Sequence, residues 1–336
     1  MGAVANVGIV GAGPCGLAAA VAMQRAGLDA ILIDRSCLVS GIASYPTYIS
    51  FFSTAERLSI AGIPFVVPTE KPTRRDALAY YRAVARHYDV PLREYENVAA
   101  VERRGERFRL RTRNRHDEES EIDVGALVVA TGYFGHPNRL GVPGEELPHV
   151  THLFKEGHWS FDQDVVVVGG GNSAVEAALD LYRADAHVTI VHFAPALDPN
   201  VKPWIVPDIT NRIKDGSIQA RFDSRVSAIE PHEVVLDTPR GAERVSAEQV
   251  YLMLGYQPNN DLLVQLGVPI DSRTGIPQHD PATMETAAPG VFIAGVIASG
   301  YDANKTFIEN GRHHGDLIAQ KLAGSAAPAF STTPAE

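Results

Sequence analysis

The residues whose types and spacing point most clearly to binding or catalysis are three glycines, a cysteine and an aspartate near the N-terminus. Gly11, Gly13 and Gly16 have the spacing of a dinucleotide-binding turn, in which the backbone approaches a pyrophosphate and a helix N-terminus supplies N–H donors. Asp34 ends the next apolar run, where its carboxylate can accept from a ribose hydroxyl. Cys15 lies among the glycines in the first helical turn, where the helix dipole should lower its pKa. The sequence therefore predicts a nucleotide site with a thiol beside it.

Apolar periodicity predicts the elements that must position these residues. The run at 7–10 predicts a buried parallel strand, residues 17–25 an alanine-rich helix, and residues 30–33 a second strand. The glycine turn thus links a strand to a helix, as dinucleotide binding requires. Farther along the chain, the polar segment "TRNRHDEESEID", residues 112–123, predicts the tip of a hairpin.

The same arrangement occurs a second time. A strand is predicted over 164–168 and a helix over 173–183. Between the strand and the body of the helix, Gly169, Gly171 and Ala174 occupy the glycine positions. One chain therefore contains the dinucleotide-binding pattern twice, which indicates one tightly held flavin and one exchanging nicotinamide with a hydride passing between them.

The second copy differs from the first in how its next strand ends. His192 and Phe193 follow that strand, and no carboxylate stands there to accept from a free 2′-hydroxyl. This absence favours a cofactor that carries a 2′-phosphate. We therefore expect NADPH rather than NADH.

The composition excludes several classes of function. The 336-residue chain has 40 acidic and 30 basic residues and a formal charge of -10, so we expect no nucleic-acid partner. No apolar run approaches the roughly 20 residues that span a membrane, and glycines interrupt the N-terminal run, so neither a span nor a signal peptide is expected. The two cysteines, Cys15 and Cys37, fit a reducing cytoplasm. The histidines lack metal-ligand spacing, and no metal is expected.

Long strings carry a family resemblance. They are "GPCGL", "YPTYISFFSTAERLSIAGIPF", "HLFKEGHWSFDQDVVVVGGGNSAVEAALDL", "KPWIVP" and "IAGVIASGYDANKTFIENGRHHG". Over residues 4 to about 323 the chain resembles the two-domain flavoprotein disulfide reductases of the low-molecular-weight thioredoxin reductase type, and within them the bacillithiol disulfide reductases. The resemblance implies an α/β fold with two Rossmann-like, three-layer dinucleotide-binding domains, the second inserted in the first. It also implies FAD, NADPH, a homo-oligomer (dimer or tetramer), and reduction of bacillithiol disulfide or a similar small thiol disulfide.

The resemblance also implies which residues serve these roles. The residues expected at FAD are Gly11, Gly13, Pro14, Cys15, Gly16, Asp34, Arg35, Thr131, Gly132, Gly295 and Val296. The residues expected at NADPH are Gly169, Gly171, Asn172, Ser173, His192 and Lys202. Cys15 is in addition the expected catalytic residue, which forms a mixed disulfide with half of the substrate.

The expected domain boundaries follow from these placements. Residues 1–125 and 270–324 are expected to form the FAD domain and residues 158–262 the NADPH domain. Residues 126–157 and 263–269 are expected to connect them, and residues 325–336, rich in small residues and proline, to be disordered.

Three features depart from the broad family. The chain has no cysteine after Cys37, so it lacks the Cys-x-x-Cys pair of an ordinary thioredoxin reductase. The turn usually read as Ala-Gly-Asp is Ala294-Gly295-Val296, as in the bacillithiol group. Phe193 stands where an arginine is common, which leaves Lys202 and Arg212 as candidate partners of the 2′-phosphate.

Other functions remain open on the sequence. The stretch "ATGYFGHPNRLGVPG" also resembles flavin monooxygenases. Their full fingerprint, roughly F-x-G-x-x-x-H ahead of the second glycine turn, is absent, because "HLFKEGHWSFD" has the wrong spacing. A ferredoxin or flavodoxin reductase of similar architecture would need no thiol. A nucleotide-sensing binding module is a third alternative, which two intact dinucleotide turns disfavour.

Overall fold

The computed structural model describes residues 7–302 and 305–325. The strands in chain order are β1 Val7–Val10, β2 Ala30–Ile33, β3 Leu92–Arg93, β4 Glu96–Arg104, β5 Arg107–Asn114, β6 Glu119–Val124, β7 Ala126–Val129, β8 Val150–Thr151, β9 Asp164–Val168, β10 His187–Val191, β11 Gln219–Arg221, β12 Arg225–Ile229, β13 Glu233–Thr238, β14 Gly241–Ser246, β15 Gln249–Leu252 and β16 Val291–Ile293. The α-helices are α1 Pro14–Arg25, α2 Ser40–Ala43, α3 Ala55–Leu58, α4 Arg74–His87, α5 Asn172–Arg183, α6 Val206–Lys214, α7 Asp261–Gln265, α8 Ile308–Gly311 and α9 His314–Ser325. Short 3-10 helices cover Gly157–Ser160 and Gly295–Ser299.

The predicted strand–turn–helix–strand patterns are confirmed. Strands β1, β2 and β9 have the predicted bounds. Helices α1 and α5 begin three residues and one residue before the predicted starts, because their first turns belong to the glycine segments. The polar segment at 112–123 contains the turn between β5 and β6, which pair antiparallel.

The described residues divide into two compact units. Unit 1 contains the described parts of 1–43, 50–136 and 257–336, and unit 2 contains 44–49 and 137–256. The expected connector at 126–157 is therefore divided, because β7 pairs with β1 in unit 1 and the chain enters unit 2 only at residue 137. Residues 257–269 belong to unit 1. Of the expected disordered tail, residues 326–336 lie outside the described residues.

Unit 1 is built on a parallel sheet with the strand order β16-β7-β1-β2-β3. Helices α1 and α9 pack against each other, and Gly315 of α9 lies so close to α1 that a Cβ there would stand 2.5 Å from Ala19 Cα. On β1, a Cβ at Gly8 would stand 3.1 Å from Leu110 and Val124, which belong to the antiparallel sheet β4-β5-β6. Glycine at these two positions thus allows adjoining layers to pack closely.

Unit 2 repeats this plan. Its parallel sheet has the order β11-β10-β9-β15-β8, and an antiparallel sheet β12-β13-β14 accompanies it. Along β9, Val165 and Val167 face the core that contains α5, whereas Val166 and Val168 face the core that contains β12 and β13. A strand buried on both faces reads as a continuous apolar run, which explains the sequence "VVVV". Both units therefore have the α/β dinucleotide-binding fold that the sequence predicts.

The part of the chain that the structure describes contains neither a membrane-spanning helix nor a metal-binding cluster. None of the helices found there is both long and apolar enough to cross a membrane. No group of three or more His, Cys, Asp or Glu side chains is arranged there to hold a metal ion.

Candidate active site

The glycine turn of unit 1 leaves an open cradle at the start of α1. Gly11 has φ +109, and a Cβ there would overlap the Ala130 carbonyl oxygen. A Cβ at Gly16 would overlap the Gly11 carbonyl oxygen, whereas a Cβ at Gly13 would meet nothing within 4 Å. No side chain caps the N-terminus of α1, so its first N–H groups point toward this open space. The geometry fits a phosphate held by a helix N-terminus.

Asp34 ties the second strand to this turn. Its Oδ2 accepts from Ala12 N at 2.7 Å and its Oδ1 from Ser36 N at 2.8 Å, and the residue is only 9% exposed. Burial raises the pKa of Asp34, against the lowering effect of these two N–H donors. A carboxylate has about four acceptor positions, so two remain for ribose hydroxyls.

The neighbouring expected FAD residues lie at the edge of the same sheet. Arg35 is directed toward residues 135 and 136, with its guanidinium 3.5 Å from the Gly135 oxygen. Thr131 follows β7 and its Oγ1 donates to the Asn259 oxygen at 3.3 Å. Gly132 has φ +64. The structure thus places these residues in unit 1, beyond the carboxyl ends of β2 and β7.

Cys15 lies where α1 meets the segment that returns near the C-terminus. A Cβ built on Gly295 would stand 3.1 Å from Cys15 Sγ, and one built on Gly311 would stand 2.9 Å from it. Two glycines that are about 280 and 296 residues away in sequence therefore make room for the sulfur. Glu309, the second residue of α8, carries a negative charge close enough to act on the thiol and accepts a hydrogen bond from Ser53 Oγ.

This environment corrects the expectation that the helix dipole lowers the Cys15 pKa. Burial, and secondly the charge of Glu309, raise the pKa of Cys15 to about 12. The dipole of one helix turn stabilises an anion by only about 0.3–1 kcal/mol at exposed sites, which desolvation readily exceeds. Cys15 is consequently a thiol at neutral pH in this environment.

The returning segment is held by a histidine. Gly295 has φ +79, and its N–H donates to His314 Nδ1 at 3.1 Å. Burial, and secondly the nearby His279 and His313, lower the pKa of His314 to about 4. His314 is therefore neutral at physiological pH and carries its proton on Nε2. Val296 follows in the 3-10 helix, so the predicted strand, turn and helix are present here.

Unit 2 presents an equivalent cradle at α5. Gly169 has φ +144, and a Cβ there would overlap the Met253 oxygen. Gly171 is open, since a Cβ there would meet nothing within 4 Å, and no side chain caps α5. Ala174, in the third position, is fully buried. Ser173 is exposed at the helix N-terminus, as an anion ligand would require.

Asn172 and Lys202 meet at this helix terminus. Asn172 Oδ1 accepts from the backbone N–H of Lys202 at 2.9 Å, and its Nδ2 donates to the Asn200 oxygen at 3.3 Å. One turn into α5, burial raises the pKa of Glu176 to about 6, although the Lys202 charge opposes the rise. Lys202 therefore lies beside the first turns of α5.

His192 closes the other side of the turn. A Cβ at Gly170 would stand 2.5 Å from the His192 ring, so glycine is required there. His192 is 9% exposed, burial lowers its pKa, and its Nδ1 has no hydrogen-bond partner among the described residues. A buried polar atom without a partner next to the cradle is consistent with a ligand-binding role.

Its fold and its two glycine cradles place the protein in the class of α/β oxidoreductases with two dinucleotide-binding folds. Its sequence matches the family described as pyridine nucleotide-disulphide oxidoreductase over residues 8–295. It is 42% identical over 323 residues to bacilliredoxin reductase Bdr from Bacillus subtilis (strain 168), an alignment that covers 94% of this chain and 96% of the relative. The chain is therefore a member of the pyridine nucleotide-disulphide oxidoreductase family, whose enzymes use a flavin and a pyridine nucleotide.

Solved structures agree with this assignment. Bacillithiol disulfide reductase Bdr from Bacillus cereus superposes with a TM-score of 0.94 at 43% identity, over 96% of this chain and 99% of that one. The enzyme of the same name from Staphylococcus aureus superposes with a TM-score of 0.91 at 38% identity, with the same coverage of both chains. These similarities favour a disulfide reductase over the monooxygenase and ferredoxin reductase alternatives.

Proposed function

We propose that the protein uses NADPH and FAD to reduce bacillithiol disulfide, or a similar low-molecular-weight thiol disulfide, to two thiols. The observation that carries the proposal is the pair of open glycine cradles, one at α1 and one at α5, in a chain similar along its length to reductases named for this substrate. The overall reaction balances as NADPH, one proton and one disulfide giving NADP⁺ and two thiols. The free cysteines fit a cytoplasmic enzyme, and a homo-oligomer is proposed by resemblance.

The residues around α1 fit FAD. Gly11, Gly13, Pro14 and Gly16 would form the pyrophosphate cradle, and Asp34 would accept from ribose. Proline at the first helical position costs no hydrogen bond, because that N–H has no partner within a helix. The remaining proposed contacts come from Cys15, Arg35, Thr131, Gly132, Gly295 and Val296. When bound, the flavin supplies the means of passing two electrons from NADPH to the disulfide.

The residues around α5 fit NADPH. Gly169, Gly171, Asn172 and Ser173 would hold the pyrophosphate at the helix N-terminus, with His192 and Lys202 beside them. The absence of a carboxylate after β10 supports a 2′-phosphate over a free hydroxyl.

We propose that Cys15 exchanges with the substrate disulfide. Its sulfur would bond to one half of the substrate while the other half leaves as a thiol. Two electrons from NADPH and two protons, one from NADPH and one from the medium, then release the second half as a thiol and restore the Cys15 thiol. Because burial and Glu309 raise its pKa to about 12, Cys15 must lose its proton as the substrate sulfur approaches.

Steady-state turnover tests the proposed reaction. Purified flavin-loaded enzyme is mixed with NADPH and bacillithiol disulfide, and nucleotide oxidation at 340 nm is compared with thiol release. We expect two thiols for each NADPH, little activity with NADH, and no hydrogen peroxide. Oxidation of NADPH that depends on oxygen or ferredoxin, without thiol release, would contradict the proposal. Oxidised bacilliredoxin is assayed in parallel, because the Bacillus subtilis relative is named for that protein.

Replacing Cys15 by serine tests the thiol separately. Cys15→Ser should keep its flavin and its reduction by NADPH, since serine leaves the helix N–H groups in place. Turnover of the disulfide should fall by at least about 100-fold, because a hydroxyl forms no disulfide. Cys37→Ser is the matched control and should remain active. A Cys15→Ser enzyme that turns over normally would show that the disulfide is reduced without this thiol.

A further inference from the structure

The carboxyl ends of β10 and β11 lie side by side in unit 2, where Val191 and Arg221 are register partners. Ligands of doubly wound folds bind at the carboxyl ends of such strands. The chain after β11 is fixed against the chain after β10 by two backbone hydrogen bonds, from Asp223 N to Ala194 O at 3.0 Å and from Ser224 N to His192 O at 3.1 Å. These bonds bring the next residue, Arg225, to the end of β10.

Arg225 lies over the ring of Phe193. Its guanidinium carbon is 5.0 Å from the ring centroid, and both side chains are exposed, Phe193 by 59%. Phe193 is the residue that stands in place of the family's common arginine. A cation that the local sequence lacks is thus supplied from β12, about 32 residues farther along the chain.

The basic side chains near this edge differ in whether an acid already neutralises them. Arg221 pairs with Glu243 at 2.8 Å. Arg212, a candidate on the sequence, pairs with Asp208 at 3.2 Å and Asp215 at 3.5 Å. In contrast, no carboxylate of the described residues forms an ion pair with Arg225. Its charge is therefore available to an anionic ligand.

Lys202, the other sequence candidate, lies beside a different part of the cradle. Its backbone is bound to Asn172 and its charge acts on Glu176, both in the first turns of α5. The helix N-terminus is the place for the pyrophosphate, whereas the ends of β10 and β11 are the place for the adenosine ribose. Lys202 and Arg225 therefore lie at different parts of this edge, Lys202 at the N-terminus of α5 and Arg225 at the end of β10.

We propose that Arg225, held over Phe193, recognises the 2′-phosphate of NADPH and determines the preference for NADPH over NADH. A guanidinium offers two parallel N–H donors to phosphate oxygens. The Phe193 face restricts where the guanidinium lies, which reduces the entropy lost when it binds. The inference rests on the proposed use of NADPH and adds the residue that selects it.

Calorimetric binding of NADP⁺ and NAD⁺ to flavin-loaded enzyme tests the proposal without catalysis. These two nucleotides differ only in the 2′-phosphate. Arg225→Ala should weaken NADP⁺ binding by about 10- to 100-fold and change NAD⁺ binding by less than about twofold. Arg225→Lys should recover part of the loss, because it keeps the charge but not the bidentate geometry. Lys202→Ala should weaken the binding of NADP⁺ and NAD⁺ by the same factor.

Arg244→Ala is the matched control, since it removes one positive charge from unit 2 at a residue already paired with Glu230 and Glu233. It should leave the NADP⁺ affinity unchanged. If the wild type prefers NADP⁺ and Arg225→Ala keeps that preference, Arg225 is not the selecting residue. Equal weakening of both nucleotides by Arg225→Ala would also overturn the inference. A wild type without any preference would instead overturn the proposed use of NADPH, and the inference with it.

Discussion

The reactivity of Cys15 toward an alkylating agent should reveal how strongly its surroundings suppress the thiolate. The pKa of the buried thiol is about 12, against 9.0 for an ordinary cysteine. At pH 8 about one molecule in 10⁴ is then ionised, compared with about one in 10 for an ordinary thiol, because each pH step changes the ionised fraction tenfold. Iodoacetamide should therefore modify Cys15 about 1,000-fold more slowly than the same residue in the unfolded chain.

The assay follows modification of the peptide that contains Cys15 by mass spectrometry, in protein freed of flavin and in the same protein unfolded in urea. Restricted access would also slow the reaction, but it would not move the pH at which the rate levels off. We expect the folded rate to keep rising above pH 10. A rate that levels off below pH 9 would refute the reasoning, because it would mean that the helix dipole prevails over burial and Glu309.

Two further predictions concern the glycine turn and a buried acid. Gly13→Ala should leave the melting temperature almost unchanged but weaken FAD binding. Gly16→Ala, whose Cβ would overlap the Gly11 oxygen, should lower the melting temperature by several degrees and also abolish FAD binding. Calorimetric scans and flavin absorbance distinguish the two variants, and equal melting temperatures for Gly13→Ala and Gly16→Ala would contradict the packing argument. Burial raises the Glu176 pKa from 4.5 to about 6, so its contribution to stability is complete below pH 4.5 and is lost as the pH rises through 6. Glu176→Gln should remove on the order of 2 kcal/mol of this pH dependence, measured by urea unfolding at pH 4.5 and 7, and an unchanged pH dependence would refute it.

The glycine turns were predictable because their requirements are local. Gly11 needs a positive φ and Gly13 an open approach, and a helix must follow within a few residues, so spacing alone indicates the site. The continuous apolar run of β9 likewise predicts a strand buried on both faces.

The environment of Cys15 was not predictable, because it depends on contacts that sequence distance conceals. Gly311 packs near the sulfur and the Glu309 charge acts on it only after α8 folds back on α1. Burial, and secondly the Glu309 charge, reverse the pKa direction that the helix position suggests. Arg225 was missed for the same reason. Its place over Phe193 depends on the pairing of two loops, and no motif in the local sequence indicates it.

An anaerobic half-reaction tests the central claim most directly. Flavin-loaded enzyme is reduced with one equivalent of NADPH in a stopped-flow spectrometer, and the flavin absorbance near 450 nm is followed after bacillithiol disulfide is added. The account predicts that NADPH bleaches the band and that the disulfide alone restores it rapidly, with two thiols released. A band that stays bleached with the disulfide and returns only when oxygen or oxidised ferredoxin is admitted would contradict it.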